Sequence, residues 1–303
     1  MLMAAHRALG TTLLHLGAVA SAQTHFAQGI QLYDAQQHRA AVFLYGEDVG
    51  VICHSFTPWT LGFLGYPEQG LARSQEAVTL AQQCAHPLSL SFALSLAAGF
   101  HQLRCEGHTA QEYAEAAIRL TTEQGFPHWR AYSAILRAWV LAHQGQVKEG
   151  IEQIHQGLRA YRATGAELWR PYLLALLAEA HGTIGEPEAG LTLLTEALTL
   201  VDTTGQRWCE AEIYRLKGEL LLQQSSDHQD EAENCFQQAI SIARSQQAKA
   251  WELRASTSLA RLWQQQGKRQ EAHALLAPVY HGFTEGFDTA DLKEAKALLD
   301  ALA

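Results

Sequence analysis

Positive charge is scarce in this 303-residue chain, where 22 lysines and arginines stand against 31 aspartates and glutamates for a formal net charge of −9. A duplex nucleic-acid groove needs clustered basic residues to displace counterions, so nucleic acid is set aside as a partner. Long apolar runs are missing as well. No stretch approaches the roughly 18 apolar residues of a membrane span. The opening Met1-Leu-Met-Ala-Ala-His-Arg7 lacks the charged and long apolar regions of a secretory signal. The expectation is a cytoplasmic protein with no membrane partner. Because helical pattern starts at once, with no polar capping element before it, something is expected to precede Met1 in a longer chain.

Paired cysteines are absent. Cys53, Cys84, Cys105, Cys209 and Cys235 are odd in number, scattered and never spaced C-x-x-C, which reads as reduced, mostly buried thiols. Enzyme motifs are lacking too: there is no Walker loop, no G-x-G-x-x-G after a strand, no H-E-x-x-H and no G-x-S-x-G. A non-enzyme with no cofactor and no catalytic residues is expected.

What the chain does have is a beat. Gly125-Phe-Pro-His-Trp129, Gly165-Ala-Glu-Leu-Trp169, Gly205-Gln-Arg-Trp-Cys209 and Gln247-Ala-Lys-Ala-Trp251 begin 40, 40 and 42 residues apart. Gly65–Gly70, Gly145–Gly150, Gly185–Gly190 and Gly267–Ala272 keep the same time. Self-similarity at this period marks a stacked repeat protein. Between the phrases lie two helical stretches. In the clearest unit Leu173, Leu174, Leu177 and Ala178 recur with a helical period, then Gly182–Gly185 turns the chain. Pro187 opens a second helix with Leu191, Leu194, Ala197, Leu198 and Val201 on one face, and Gly205 ends it.

This helix–turn–helix unit resembles the tetratricopeptide repeat. Leu9-Gly10, Leu13, Gly17, Ala22, Phe26, Gly29 and Asp34 fall at that family's offsets, as do Gly218, Leu221, Ala232, Phe236 and Ala239 further on. About two residues are added in the turn Ser225–Asp230. The period exceeds the family's by six residues, which sit before each first helix and form either an N-terminal extension of it or a turn leading into it. The recurrent tryptophan there, seen in every one of these units, reads as a wedge between repeats rather than a ligand platform.

The fold class expected is all-α: a right-handed α-solenoid of about seven such hairpins with a period of about 40 and a C-terminal capping helix. One domain over 1–303 carries hairpins at 4–34, 48–84, 88–122, 127–164, 167–204, 207–246 and 249–284, and the cap at 288–302. The cap's apolar face is Leu292, Ala295, Leu298 and Leu299, its polar face Asp291, Lys293, Glu294 and Asp300. Pro58 falls inside the first helix of the second hairpin and should kink or interrupt it.

His101-x-x-x-Cys105-x-x-His108 has metal-like spacing. His101 and Cys105 stand at repeat offsets held elsewhere by Leu141 and Gly145 or His181 and Gly185, so the packing reading prevails and no metal is expected. The residues singled out for function are those at first-helix offsets that would face the concave surface: Tyr132, Trp139, His143, Tyr172, Glu179, Arg215, Glu219, Arg254 and Arg261. Aromatics in the fourth and fifth repeats and mixed charges in the sixth and seventh suit a protein or peptide partner in the groove.

Several stretches are more distinctive than a generic repeat. They are Phe43–Cys53, Leu64–Ser74, His86–Leu90, Ala163–Pro171 and Phe283–Lys296. Together they resemble the C-terminal repeat region of bacterial AAA- or STAND-type signalling ATPases, often fused to nucleotide-cyclase or DNA-binding domains. The resemblance implies a regulatory or sensor arm, with an attached or associated ATPase or cyclase as a further partner. It carries over no catalytic residue, because the catalytic parts are not in this chain. The alternative is a small-molecule effector receptor, with Tyr132, Trp139 and Tyr172 around a closed pocket.

Overall fold

The computed structural model describes residues 1–34 and 42–303, and the side chain of Phe43, in one of the stretches carrying the resemblance, lies outside the described set. No strand occurs among the described residues. The helices are α1 (Leu2–His15) and α2 (Val19–Gln31), a short α3 (Val42–Tyr45), α4 (Val49–Phe63) and α5 (Pro67–Cys84), α6 (Pro87–Leu103) and α7 (Gly107–Gln124), and α8 (Pro127–His143) and α9 (Val147–Ala163). There follow α10 (Arg170–Thr183) and α11 (Pro187–Thr204), α12 (Glu210–Gln224) and α13 (Gln229–Ser245), α14 (Lys249–Gln265) and α15 (Arg269–His281), and the closing α16 (Ala290–Leu302). The fold is all-α and built of helical hairpins. The lengthened turn of the sixth hairpin includes a 3-10 turn, Ser226–His228.

The chain divides into two compact units. The first comprises Met1–Leu61 and Gln69–Leu168, the second Gly62–Glu68 and Trp169–Ala303. In each, consecutive helices pair as hairpins, and the first helices of neighbouring hairpins also touch: α6 with α8 in the first unit, α10 with α12, α12 with α14 and α14 with α16 in the second.

Small residues set how closely paired helices approach. A Cβ on Gly150 would meet Ala138 O and Ala142 Cβ at 2.8 Å, and one on Gly190 would meet Ala178 O at 3.0 Å. These glycines are the second members of the G-x₄-G phrases. A complementary large-against-small pair recurs at Gly10 with Phe26 and at Gly218 with Phe236, where an added Cβ would lie 2.7 and 2.6 Å from the ring. Phe26 and Phe236 are fully buried.

The six extra residues per repeat serve both purposes foreseen for them. In α8 and α14 they are helical, so Trp129 and Trp251 sit in the first turn. Before α10 and α12 they form a turn, and Trp169 and Cys209 are the capping residues. The tryptophans join one hairpin to another: Trp251 Nε1 donates to Trp208 O at 3.0 Å and Trp59 Nε1 to Leu96 O at 3.0 Å. Trp169 meets the Trp208 ring edge-on at 5.2 Å, and Trp129 meets Phe92 in the same way at 4.9 Å. In the second unit Phe63 lies 5.8 Å from Trp208 and 5.3 Å from Trp251.

Pro58 does not interrupt α4, which continues through it to Phe63. Neighbouring packing overrides the lost backbone bond: Phe56 and Trp59 are buried on either side, and Thr57 Oγ1 donates to Cys53 O at 2.9 Å. The cap's apolar face packs as expected, with Leu292, Ala295, Leu298 and Leu299 buried against Leu253 and Leu276.

Gly125 and Gly205 close α7 and α11 in the left-handed conformation (φ 72° and 73°), and Gln247 holds the same repeat position at φ 56°. A side chain in that region carries a penalty of roughly 1–2 kcal/mol, partly offset by glycine's freer unfolded chain. Gln247→Gly is therefore expected to raise the urea midpoint, by up to about 1 kcal/mol of stability. Gly218→Ala should lower it by about 1–3 kcal/mol, because the methyl group meets the fixed Phe236 ring. Unchanged midpoints for both would contradict this account of the hairpin.

Candidate binding face

Two columns of first-helix positions recur once per repeat. One runs Phe92, Tyr132, Tyr172, Glu212, Arg254, the other Gly99, Trp139, Glu179, Glu219, Arg261. Eight of these ten stand in the fourth to seventh hairpins, and seven of the eight belong to the residues singled out from sequence. Glu212 is the addition.

In the second unit the columns carry a charge ladder on α12, α14 and α16. Arg215 clamps Glu212 with two donors, Nε to Oε2 at 2.7 Å and Nη2 to Oε1 at 2.8 Å. Arg215 also bonds Glu219, whose Oε1 accepts from Ser258 Oγ at 2.8 Å. Arg254 reaches Glu212 with Nη1 at 3.3 Å and Asp291 with Nε at 2.8 Å, and its guanidinium lies 5.1 Å from the Trp251 ring centre. Arg261 pairs with Glu294. Glu212 is buried; that alone would raise its carboxyl, but Arg215 and Arg254 outweigh burial and hold it below the usual carboxylate value. Burial likewise opposes the charge on Arg215, and Glu212 and Glu219 more than restore it.

Exposure separates the ladder into a floor and a rim. The side chains of Glu212, Arg215 and Arg254 retain only 6, 12 and 15 % of their accessible surface, against 33 and 41 % for Glu219 and Arg261. The floor is structural and the rim is open to contact. Asp291 and Glu294, assigned from sequence to the solvated face of the cap, instead tie α16 to α14.

The aromatic positions sit deeper than the sequence placed them. Tyr132, Trp139 and Tyr172 are buried, at 0, 2 and 2 % exposure. Tyr132 packs edge-on against Trp129, and a Cβ on Gly99 would lie 2.7 Å from its hydroxyl. Tyr172 lies 4.9 Å from Trp208. Helix-to-helix packing claims Tyr132 and Tyr172 because each stands one turn from a wedge tryptophan, Trp129 and Trp169. His143 is exposed, its ring tilted by 35° against the buried Trp139 ring with centroids 3.9 Å apart, and its Nδ1 lies 3.0 Å from Trp139 O. Glu179 is half-buried on α10.

His101 turns its Nδ1 to Glu106, while Cys105 is an exposed turn residue at φ 58° and His108 is exposed beside Glu112. His181 and Glu186 repeat the first contact at 2.8 Å two repeats later. The pair is thus a turn lock between the helices of a hairpin. No group of three metal-ligating side chains occurs among the described residues.

A groove that the sequence did not reveal lies in the first unit between α7, α8 and α9. It encloses about 550 Å³ over a floor of Ala131, Ala134 and Gly157, with Arg130, Arg137, Glu149 and Glu152 around it.

No family model matches the chain, and no curated protein matches it. Solved structures do. A Rap protein in complex with competence and sporulation factor is similar with a TM-score of 0.64 at 16% identity, over 99% of this chain and 80% of that one. The apo form of RapI gives 0.58 at 12% identity, over 99% of this chain and 100% of that one. Aspartyl phosphate phosphatase F from Bacillus subtilis gives 0.57 at 13% identity, over 90% and 67%. Hairpins, period and likeness agree. The fold is that of a tetratricopeptide-type repeat protein.

Within this tetratricopeptide fold, Glu212 and Ser258 join the candidate face without having been singled out from sequence. A signal existed: Glu212 and Arg254, and likewise Glu219 and Arg261, are 42 residues apart with opposite charge, so equivalent places in adjacent repeats attract. Glu212→Ala leaves two guanidiniums buried without their shared carboxylate and is expected to cost about 3 kcal/mol in urea unfolding. A loss below that of a surface substitution would contradict the ladder's structural role. In the turn lock, burial would raise Glu106, but His101 and Arg104 hold it down, from 4.5 to about 2. The ionised group therefore adds stability that is complete above pH 4.5 and fades as pH falls toward 2. Glu106→Gln should flatten stability against pH across that window, measured by urea unfolding at stepped pH.

Proposed function

We propose that this chain is a non-catalytic scaffold that binds a protein or peptide on the first-helix face of its repeats. The observation that carries the reading is the division of labour on that face. Most buried positions in the columns are consumed by packing or by a closed ion-pair network, and in the second unit Glu219 and Arg261 form a rim that keeps 33 and 41 % of its side-chain surface. A rim of both charges over a stiff floor suits a segment carrying charges of its own. The Rap protein that shares the fold was solved in complex with competence and sporulation factor, and this supports use of such repeats as a receptor. Cavities also favour a peptide over a small effector: the groove of about 550 Å³ on α7–α9 is open and rimmed by charge rather than apolar and closed.

The finer reading is that of a regulatory arm for a bacterial signalling ATPase or cyclase. It rests on the stretches Ala163–Pro171 and Phe283–Lys296. Each lies where one element hands over to the next. In the first, Trp169 N donates to Gln206 Oε1 at 3.0 Å; in the second, Gly286 N donates to Glu68 Oε1 at 2.8 Å. Such joints tie separate hairpins together, which is where a partner's binding energy biases a switch.

Purified chain is expected to release no phosphate from ATP and to form no cyclic nucleotide; turnover of either would overturn the non-catalytic reading. A peptide selected on the wild-type chain should bind Arg261→Glu about ten-fold more weakly, a loss of about 1.4 kcal/mol, with unchanged helicity by circular dichroism. Equal binding by wild type and variant would move the site off this face.

A further inference from the structure

An ion pair present in the fifth hairpin is missing from the fourth. Arg170, at the start of α10, pairs with Glu196 of α11 and keeps only 10 % of its side-chain surface. The places 40 residues earlier hold Arg130 and Gln156, so the arginine stays while its carboxylate becomes an amide. Gln156 turns instead to Glu152, with Nε2 3.4 Å from Oε1. Arg130 is exposed, and its side chain has no hydrogen-bond or ion-pair partner among the described residues.

Bulk is lost at the same place. Ala134, Gly157 and Ala160 stand where the fifth hairpin has Leu174, Ala197 and Leu200. All three line the groove of about 550 Å³ between α7, α8 and α9, and Arg130 and Arg137 stand on its α8 wall. Arg137 also lacks a carboxylate: its Nη2 donates to Gln153 Oε1 at 3.2 Å, and its buried Nε has no acceptor among the described residues. The carboxylates of the groove are on the α9 wall, where Glu149 accepts from Gln153 at 3.0 Å and Glu152 from Gln156. One wall is therefore positive and the other negative. Acids outnumber bases by nine in this chain, so two cations without an acid on one wall do not follow from composition. A guanidinium without its carboxylate leaves a forked pair of donors open to one from outside.

We propose that this groove is a second binding site, for an acidic peptide segment of a partner protein. A carboxylate of the segment takes at Arg130 the place that Glu196 takes at Arg170, and the segment's backbone lies over Ala131, Ala134 and Gly157. Arg137 adds attraction along the same wall, while Glu149 and Glu152 keep the acid on the α8 side. An open trough with a floor of small residues lets a peptide backbone approach closely, where a small molecule needs enclosure. The site shares no residue with the first-helix rim of Glu219 and Arg261.

The test selects peptides from a random library displayed on phage, using the full chain carrying Arg261→Glu so that the rim is impaired. Recovered peptides are expected to carry Asp or Glu above library frequency and to bind the wild-type chain equally well. Arg130→Glu should weaken them at least about ten-fold, with an unchanged urea midpoint because the Arg130 side chain is exposed. Ala134→Leu, which restores the bulk of the fifth hairpin and leaves every charge in place, should weaken them too. Binders indifferent to Arg130→Glu, binders without acidic residues, or no binders at all overturn the proposal. So does a peptide that Arg130→Glu weakens and Ala134→Leu does not, because its acid then lies outside the groove. The rim is judged separately, by peptides selected on wild type and their response to Arg261→Glu, so either site can fail while the other stands.

Discussion

The close approach of two helices inside each hairpin is the constraint from which the rest follows. Gly150 and Gly190 sit so near the backbone of their partner helices that a methyl group would collide with a carbonyl oxygen. That spacing fixes the angle at which a hairpin presents its two faces. It also leaves gaps between hairpins that only large side chains fill, which explains the recurrence of tryptophan at the entry to first helices. Trp59 and Trp251 go further and donate indole hydrogen bonds to carbonyls of neighbouring hairpins. Each such bond makes the position of one hairpin depend on the next, and the repeat period is the sequence imprint of that dependence.

Residues spent in this way are unavailable for recognition. The two columns of first-helix positions are largely spent too: Phe92 packs on Phe56 of the preceding hairpin and Arg254 bonds Glu212 of the preceding hairpin. In the first unit the columns hold aromatics drawn into packing. In the second, beyond Tyr172 and Glu179, they hold carboxylates and guanidiniums that neutralise one another, with Glu212 and Arg254 buried deepest. A buried ion pair stabilises less than its Coulomb attraction suggests, because both partners give up water. The value of the Glu212–Arg215–Arg254 network is geometric: it holds α12, α14 and α16 in register and leaves Glu219 and Arg261 at the rim.

The architecture was legible because it is periodic. Glycines at turns, small residues at contacts and apolar faces at helical spacing each repeat, so every hairpin corroborates the others, down to Leu292, Ala295, Leu298 and Leu299 in the cap. Pro58 does not end its helix because helix propensity is a local term, and burial of Phe56 and Trp59 outweighs it. Depth was harder to read than position. Tyr132 and Tyr172 stand at the offsets expected for the binding face, yet whether a ring at that offset lies on the surface or beneath it depends on residues one repeat away, such as Gly99 and Trp208. The ion-pair partners Asp291 and Glu294 were read as solvated because their mates are more than thirty residues distant. The groove on α7–α9 left no sequence signal, since alanine and glycine at its floor look like ordinary contact residues.

The central claim is that recognition happens on the rim of the first-helix face, above a floor committed to structure. Amide hydrogen exchange, with and without a peptide selected on the purified chain, tests it most directly. The account predicts slowed exchange in α12 and α14, around Glu219 and Arg261, with the second helices α13 and α15 unaffected. Protection confined to α13 and α15, or to the groove on α7–α9, would contradict it.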